Sequence, residues 1–158
     1  MSRTPEEGER IPDFALETDT HGVIRPGDFH GKKLVLYIYP KDNTKGCTQE
    51  AEDFSRLKAA FDEADTAVVG VSPDTVRKHA NFRKKHGLEI ILAADPERKV
   101  IEGWGLWVEK MFYGRKYMGA ERTTFLVDRD GMIARVWRDV KKIDGHAGEV
   151  LEAARALP

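Results

Sequence analysis

The chain has 158 residues, 41% of them hydrophobic and 34% charged, with a formal net charge of -1. That length supports one domain with a real core, and charges of both signs scattered along the chain speak against a nucleic-acid or membrane-surface specialist, which carries a basic face or stripe. No apolar run approaches the roughly 20 residues of a membrane helix, and Met1–Arg10 is polar and mostly acidic, without the apolar core of a signal peptide, so the cytoplasm is the expected compartment.

Residues 1–10 read as a loose N-terminal arm. Ile11–Leu16 and Val23–Arg25, separated by Thr20, His21 and Gly22, form a small predicted hairpin. Leu34–Tyr39 is apolar without alternation and bounded by Gly31 and Pro40, the pattern of a strand covered on both faces. The loop from Pro40 to Gly46 leads into a helix expected from Cys47 to Ala64, with Ala51, Phe54, Leu57, Phe61 and Ala64 on one face. Thr66–Val71 is the next strand, and Pro73 and Asp74 open a basic helix ending near Gly87. Glu89–Ala93 is a third buried strand. Asp95-Pro96 reads as an N-cap with proline at the first position of a short helix. Gly103–Gly119, with four glycines and five aromatics, has little periodicity and reads as an irregular excursion. Thr123–Asp128 and Met132–Trp137 are strands joined at Asp130-Gly131, and Asp144 is the expected cap of a last helix with Ala147, Val150, Leu151 and Ala154 on its apolar face. Strands alternating with helices imply a layered α/β domain, and the closing antiparallel pair makes its central sheet mixed. No repeat or linker divides the chain, so 1–158 is read as a single domain.

The only cysteine is Cys47, so no intramolecular disulfide can form. The five histidines are dispersed, with neither His-x-His nor His-Glu-x-x-His spacing, and no dinucleotide or phosphate-loop fingerprint is present. The sequence therefore calls for no metal and no cofactor. Cys47 itself is placed where thiol chemistry is favoured. It follows the C-terminal end of a buried strand, the edge at which open α/β sheets bind ligands, and falls in the first turn of a helix, where free N–H groups and the dipole favour an anion. A free thiol titrates at about 8.5 and a helix N-terminus or nearby cation lowers that. A lone cysteine is more often a small buried hydrophobe, but Gly46, Thr48, Gln49 and Glu50 are small or polar and the apolar stripe starts only at Ala51. Thr44 can donate to a substrate oxygen or simply cap the helix. Pro40 fixes the loop and offers no N–H, which also suits a plain strand terminator. Glu50 suits the first turn of any helix, and beside Cys47 it opposes a thiolate unless a cation also lies near.

The run Tyr39-Pro40-Lys41-Asp42-Asn43-Thr44-Lys45-Gly46-Cys47-Thr48-Gln49-Glu50-Ala51 resembles the peroxidatic loop of the peroxiredoxins, fitting Pro-x-x-x-(Thr/Ser)-x-x-Cys at Pro40, Thr44 and Cys47. Within that family it looks most like the bacterioferritin comigratory protein, or PrxQ, group. Lys110–Gly119, Arg122–Asp128 and the tail Val140–Leu151 are similar to stretches of that group, and the likeness spans about residues 8–157. The resemblance implies a thioredoxin-like fold: a central mixed sheet flanked by helices, with an N-terminal β-hairpin. It also supplies the missing cation, because Arg122 matches the arginine that reaches the peroxidatic sulfur and can pair with Glu50. It implies a thiol-dependent peroxidase that reduces hydrogen peroxide and organic hydroperoxides through a Cys47 sulfenic acid. Many members of the group carry a resolving cysteine five residues later, where Glu52 stands here, so recycling falls to an external thiol: thioredoxin, glutaredoxin or a low-molecular-weight thiol. A monomer or weak homodimer is expected, with no nucleic-acid or membrane partner. A redox sensor with little turnover is the competing reading, while a disulfide reductase is disfavoured by the absence of Cys-x-x-Cys.

Overall fold

The structure, a computed structural model, describes residues 2–158. Its nine strands are β1 (Leu16–Thr18), β2 (Val23–Ile24), β3 (Lys33–Ile38), β4 (Thr66–Ser72), β5 (Ile91–Ala94), β6 (Trp107–Phe112), β7 (Arg115–Ala120), β8 (Thr123–Val127) and β9 (Ile133–Trp137). Its α-helices are α1 (Lys45–Arg56), α2 (Lys58–Glu63), α3 (Val76–His86), α4 (Lys99–Gly103) and α5 (His146–Ala156). Seven strands form one sheet in the order β2-β1-β5-β4-β3-β8-β9. β3, β4 and β5 run parallel and the outer pairings are antiparallel. This is the expected thioredoxin-like α/β architecture, mixed sheet and N-terminal hairpin included, although the hairpin's first strand is Leu16–Thr18 rather than Ile11–Leu16, and residues 11–15 form no strand.

Both faces of the sheet are covered, which explains the unbroken apolar run at β3. Alternate residues of a strand point to opposite faces: Leu34, Leu36 and Ile38 enter one core cluster with Phe14, Trp104 and Phe125, while Val35, Tyr37 and Tyr39 enter the other with Phe54, Phe61 and Phe82.

Five further local expectations need correction. The arm is not loose: Gly8 donates to Ile133, Ile133 to Glu9 and Ile11 to Gly131, and the Thr4 hydroxyl donates to the Trp104 carbonyl at 2.7 Å. Met1, the first residue of that arm, lies outside the described residues. The helix expected over 47–64 is two helices, α1 and α2, broken at Leu57. Asp95 does not begin a helix; α4 starts four residues later, and the Asp95 carboxylate reaches forward to accept the N–H groups of Val100 and Ile101 at 3.1 and 2.8 Å. Asp144 does not cap α5, whose N-cap is Gly145; its carboxylate takes the side-chain amide of Gln49 instead, tying the head of α5 to α1. The excursion 103–119 is regular over most of its length: β6 and β7 form a separate antiparallel hairpin, turned by Tyr113 and Gly114 with φ of +49° and +77°.

Candidate active site

Cys47 sits where three elements converge. β3 delivers the chain to the C-terminal edge of the sheet, and the loop after it turns through Asn43, in the left-handed region at φ +64°. Thr44 is the N-cap residue of α1 in extended conformation, which puts Cys47 in the first turn, where amide N–H groups lack intrahelical acceptors. Thr48 is the first to close back, donating to the Thr44 carbonyl at 2.9 Å. β8 runs antiparallel to β3, with Thr123 opposite Ile38. The start of β8 therefore lies at the end of β3, and Arg122, the residue before it, is carried across to Cys47.

The Arg122 guanidinium spans two groups. One terminal nitrogen donates to Glu50 Oε1 at 2.6 Å and the other faces Cys47 Sγ at 3.4 Å. Cys47 is only 1% exposed and packs in the same cluster as Ala51 and Phe54. It is as buried as an inert core cysteine, yet it meets a guanidinium N–H, which an inert one has no need of. Glu50 is buried too, and its second oxygen, Oε2, has no hydrogen-bond partner. Burial pushes the Glu50 carboxyl up to about 7, outweighing the pull of Arg122. Arg122 loses some preference for its charge through burial but gains more from Glu50 and Cys47, so its own pKa moves upward. The guanidinium therefore keeps its charge, and the acid is the half of the pair that titrates.

The other two expected residues are placed differently. Thr44 makes no side-chain cap; its hydroxyl donates to the Lys41 carbonyl at 3.1 Å and stays exposed at the head of α1. Pro40 is half-buried at the end of β3, consistent with a strand terminator. Of the five residues, the structure joins Cys47, Glu50 and Arg122 by direct contact, sets Thr44 at the mouth of the same turn, and leaves Pro40 as backbone geometry.

A second polar network went unread in the sequence. Asp42 lies in the loop before Thr44. One of its carboxylate oxygens is 2.7 Å from His79 Nδ1, and the other accepts from the Tyr39 hydroxyl at 2.6 Å. His79 Nε2 lies 2.9 Å from the Ala93 carbonyl, and the Asp42 amide donates to Asp74 at 2.7 Å. These bonds pin the loop to α3 and β5. Asp42 and His79 stand 37 positions apart, so no local spacing announces them. Beneath the site the Tyr37 hydroxyl is buried without a partner, and burial, with Glu50 next, drives its pKa well up. Among the described residues no cluster of three His, Cys, Asp or Glu side chains is arranged to hold a metal ion.

Residues 8–136 match the model of the AhpC/TSA family. The peroxiredoxin Bcp of Bacillus subtilis is 43% identical over 154 residues, 98% of each chain. The solved structure of the Xanthomonas campestris bacterioferritin comigratory protein, described for its alkyl peroxide reduction activity, is 37% identical with a TM-score of 0.83 over 90% of each chain. A cysteine-to-serine variant of Xylella fastidiosa PrxQ superposes with a TM-score of 0.89 at 32% identity, covering 99% of this chain and 98% of that one. With the fold, the buried thiol at a helix head and the bridging arginine already in place, these likenesses establish that the chain belongs to the AhpC/TSA family of peroxiredoxins, in its Bcp/PrxQ group.

Proposed function

We propose that the chain is a one-cysteine, thiol-dependent peroxidase in which Cys47 is the nucleophile, Arg122 the principal electrostatic partner, Thr44 a donor to the bound peroxide once its hydroxyl leaves the Lys41 carbonyl, and Glu50 the residue that aims Arg122. The observation that carries this is the guanidinium shared between Glu50 Oε1 and Cys47 Sγ. A cation fixed by a buried acid holds its second fork on the sulfur, where it meets the charge that moves onto the departing oxygen.

In the first half-reaction the Cys47 thiolate attacks the terminal oxygen of a hydroperoxide. A sulfur–oxygen bond forms, the oxygen–oxygen bond breaks, and the remaining oxygen leaves as water or an alcohol after taking a proton. In the second, an external thiol displaces hydroxide from the sulfenic acid as water, and another thiol resolves the mixed disulfide. Recycling must come from outside, because Cys47 is the only cysteine. Thioredoxin, glutaredoxin and low-molecular-weight thiols all supply the chemistry. Pro40 holds the loop that screens the sulfur. The burial of Cys47 argues against a Cys47–Cys47 bridge between folded chains and for a monomer or weak homodimer. The lone thiol suits a reducing compartment such as the cytoplasm, and no helix among the described residues is long and apolar enough to cross a membrane.

Steady-state peroxide consumption with a thiol donor tests the reading. Sustained turnover that vanishes in Cys47→Ser supports it. A single stoichiometric oxidation with no turnover under any donor makes Cys47 a sensor instead.

A further inference from the structure

The hairpin β6–β7 rises directly from the segment that carries Arg122, since its last pair, Trp107 with Ala120, lies two residues before that arginine. Strand alternation sorts its side chains between two faces. One face holds Val108, Lys110 and Phe112 opposite Gly119, Tyr117 and Arg115. Lys110 turns that face toward the pocket. Its stem lies against Gly119, where an added Cβ would stand 3.3 Å from the lysine Cδ. Its ammonium is near enough to Arg122 and Cys47 to feel both, and burial first, then Arg122, holds its pKa below the ordinary value.

The cations around this face differ in whether they are neutralised. Arg122 is engaged by Glu50, Arg138 by Glu121, Lys141 by Asp139 at 3.2 Å and Lys116 by Glu109 at 3.9 Å. Among the described residues Lys110 and Arg115 have no carboxylate within 4.0 Å. Asp139 also acts on Lys110, but at longer range and while paired to Lys141. Two cations without acids therefore flank Phe112 and Tyr117, which are 63% and 49% exposed. A half-buried lysine without an acid is costly unless something outside the chain neutralises it.

The second observation concerns access. Cys47 Sγ lies on a helix held by Glu50 to Arg122, by Gln49 to Asp144 and by Phe54 in the core. Cys47 is 1% exposed, so while α1 stays wound a folded protein meets a steric barrier at the sulfur. A small thiol needs a far narrower opening.

We propose that the hairpin face bearing Lys110 and Arg115 selects a small, carboxylate-bearing thiol as the reductant that recycles oxidised Cys47. The inference rests on the peroxidase reading. The carboxylate of the incoming thiol pairs with Lys110, Arg115 nearer the turn draws anions toward the face, and Phe112 and Tyr117 offer apolar area to its stem. The thiol sulfur attacks the Cys47 sulfur, a sulfur–sulfur bond forms, the sulfur–oxygen bond breaks, and hydroxide leaves as water with the thiol's proton. A second molecule of the same thiol attacks the small-molecule sulfur of the mixed disulfide and restores the Cys47 thiol. One sulfenic acid is reduced and two thiols become one disulfide.

The test separates the half-reactions. Cys47 is first oxidised with one equivalent of hydrogen peroxide and the sulfenic acid verified by trapping. Its decay is then followed with mercaptosuccinate or glutathione, neutral 2-mercaptoethanol and cationic cysteamine, compared at equal thiolate concentration. The proposal expects the anionic thiols to react fastest, with an advantage that shrinks in 0.5 M salt. Lys110→Gln and Arg115→Gln should each reduce the anionic-to-neutral rate ratio by roughly threefold, the scale of one exposed charge contact, and Lys110→Glu should favour cysteamine. That ratio, taken within one variant, cancels any change in the reactivity of Cys47, which a merely structural role would alter for all thiols alike. Equal rates for anionic and neutral thiols, or a ratio indifferent to both substitutions, overturns the proposal. So does a protein dithiol that outpaces every small thiol. Failure to form any sulfenic acid would count against the peroxidase reading instead.

Discussion

Around Cys47 the side chains are packed and the charges assigned: Glu50 and Thr124 are fully buried, Arg122 holds Glu50 and the sulfur together, and the loop before them is pinned through Asp42 to His79. On the neighbouring hairpin, Met111 and Phe112 are each 63% exposed, Tyr113 is 92% exposed, and two cations have no acid. The first region has its side chains engaged within the fold and the second is left open to something else. A peroxide needs a rigid, preorganised pocket for a fast first step, whereas the reductant must arrive, bind and leave. The two regions divide the catalytic cycle between them.

The pocket should be the more fragile half. Cys47→Ser should lower peroxide turnover by at least about 10³-fold, because a hydroxyl is a far poorer nucleophile at neutral pH, with the circular dichroism spectrum unchanged. Arg122→Ala should slow the single-turnover peroxide burst by about 10²-fold, the usual scale for a lost electrostatic donor, and Arg122→Lys should recover only part of it because an ammonium cannot fork between Glu50 and sulfur. An unchanged burst would remove Arg122 from the chemistry.

Glu50 gives the pocket a pH signature of its own. Its carboxyl is held near 7 by burial, above its ordinary value of 4.5. The folded chain thus binds this proton more tightly than the unfolded chain. Its contribution to stability is full below about pH 4.5, declines as pH rises to about 7, and stays constant above that, a difference on the order of 3 kcal/mol. Glu50→Gln should flatten this window in urea titrations at successive pH values, and an unaltered slope would refute the assignment.

Two glycines sharpen the contrast further. In the core, a Cβ on Gly70 would meet the Tyr37 ring at 2.7 Å, so Gly70→Ala should cost about 1–3 kcal/mol by overpacking. In the hairpin turn Gly114 has open space but a φ of +77°, so Gly114→Ala should cost about 1 kcal/mol or less. That smaller cost should appear as faster amide exchange within the hairpin rather than as a lower global melting temperature.

What the sequence disclosed follows the same division. β3 and β4 were legible within a residue because burial on both faces forces a continuous apolar run. Cys47 at the head of a helix was legible from local spacing. The break at Leu57 was not, since neither glycine nor proline marks it and the apolar spacing of Leu57 and Phe61 continues through. β6–β7 carried no strand signal because neither face is buried deeply enough to impose alternation, as the run Trp107-Val108-Glu109-Lys110-Met111-Phe112 shows. Arg122 was reached only through family resemblance: what places it is the register of Thr123 against Ile38, a pairing across 85 positions that no single segment reveals.

Oxidation of Cys47 in place, with no partner thiol in its own chain, leaves a mass signature. Intact-mass spectrometry after one equivalent of hydrogen peroxide, without reductant, tests it most directly. The expected result is a gain of one oxygen on Cys47, trappable by a dimedone-type reagent and absent in Cys47→Ser. With excess peroxide, further gains to two and three oxygens and progressive inactivation are expected. A chain whose mass stays unchanged while peroxide is consumed, or a clean shift to a covalent dimer under non-reducing conditions, would contradict it.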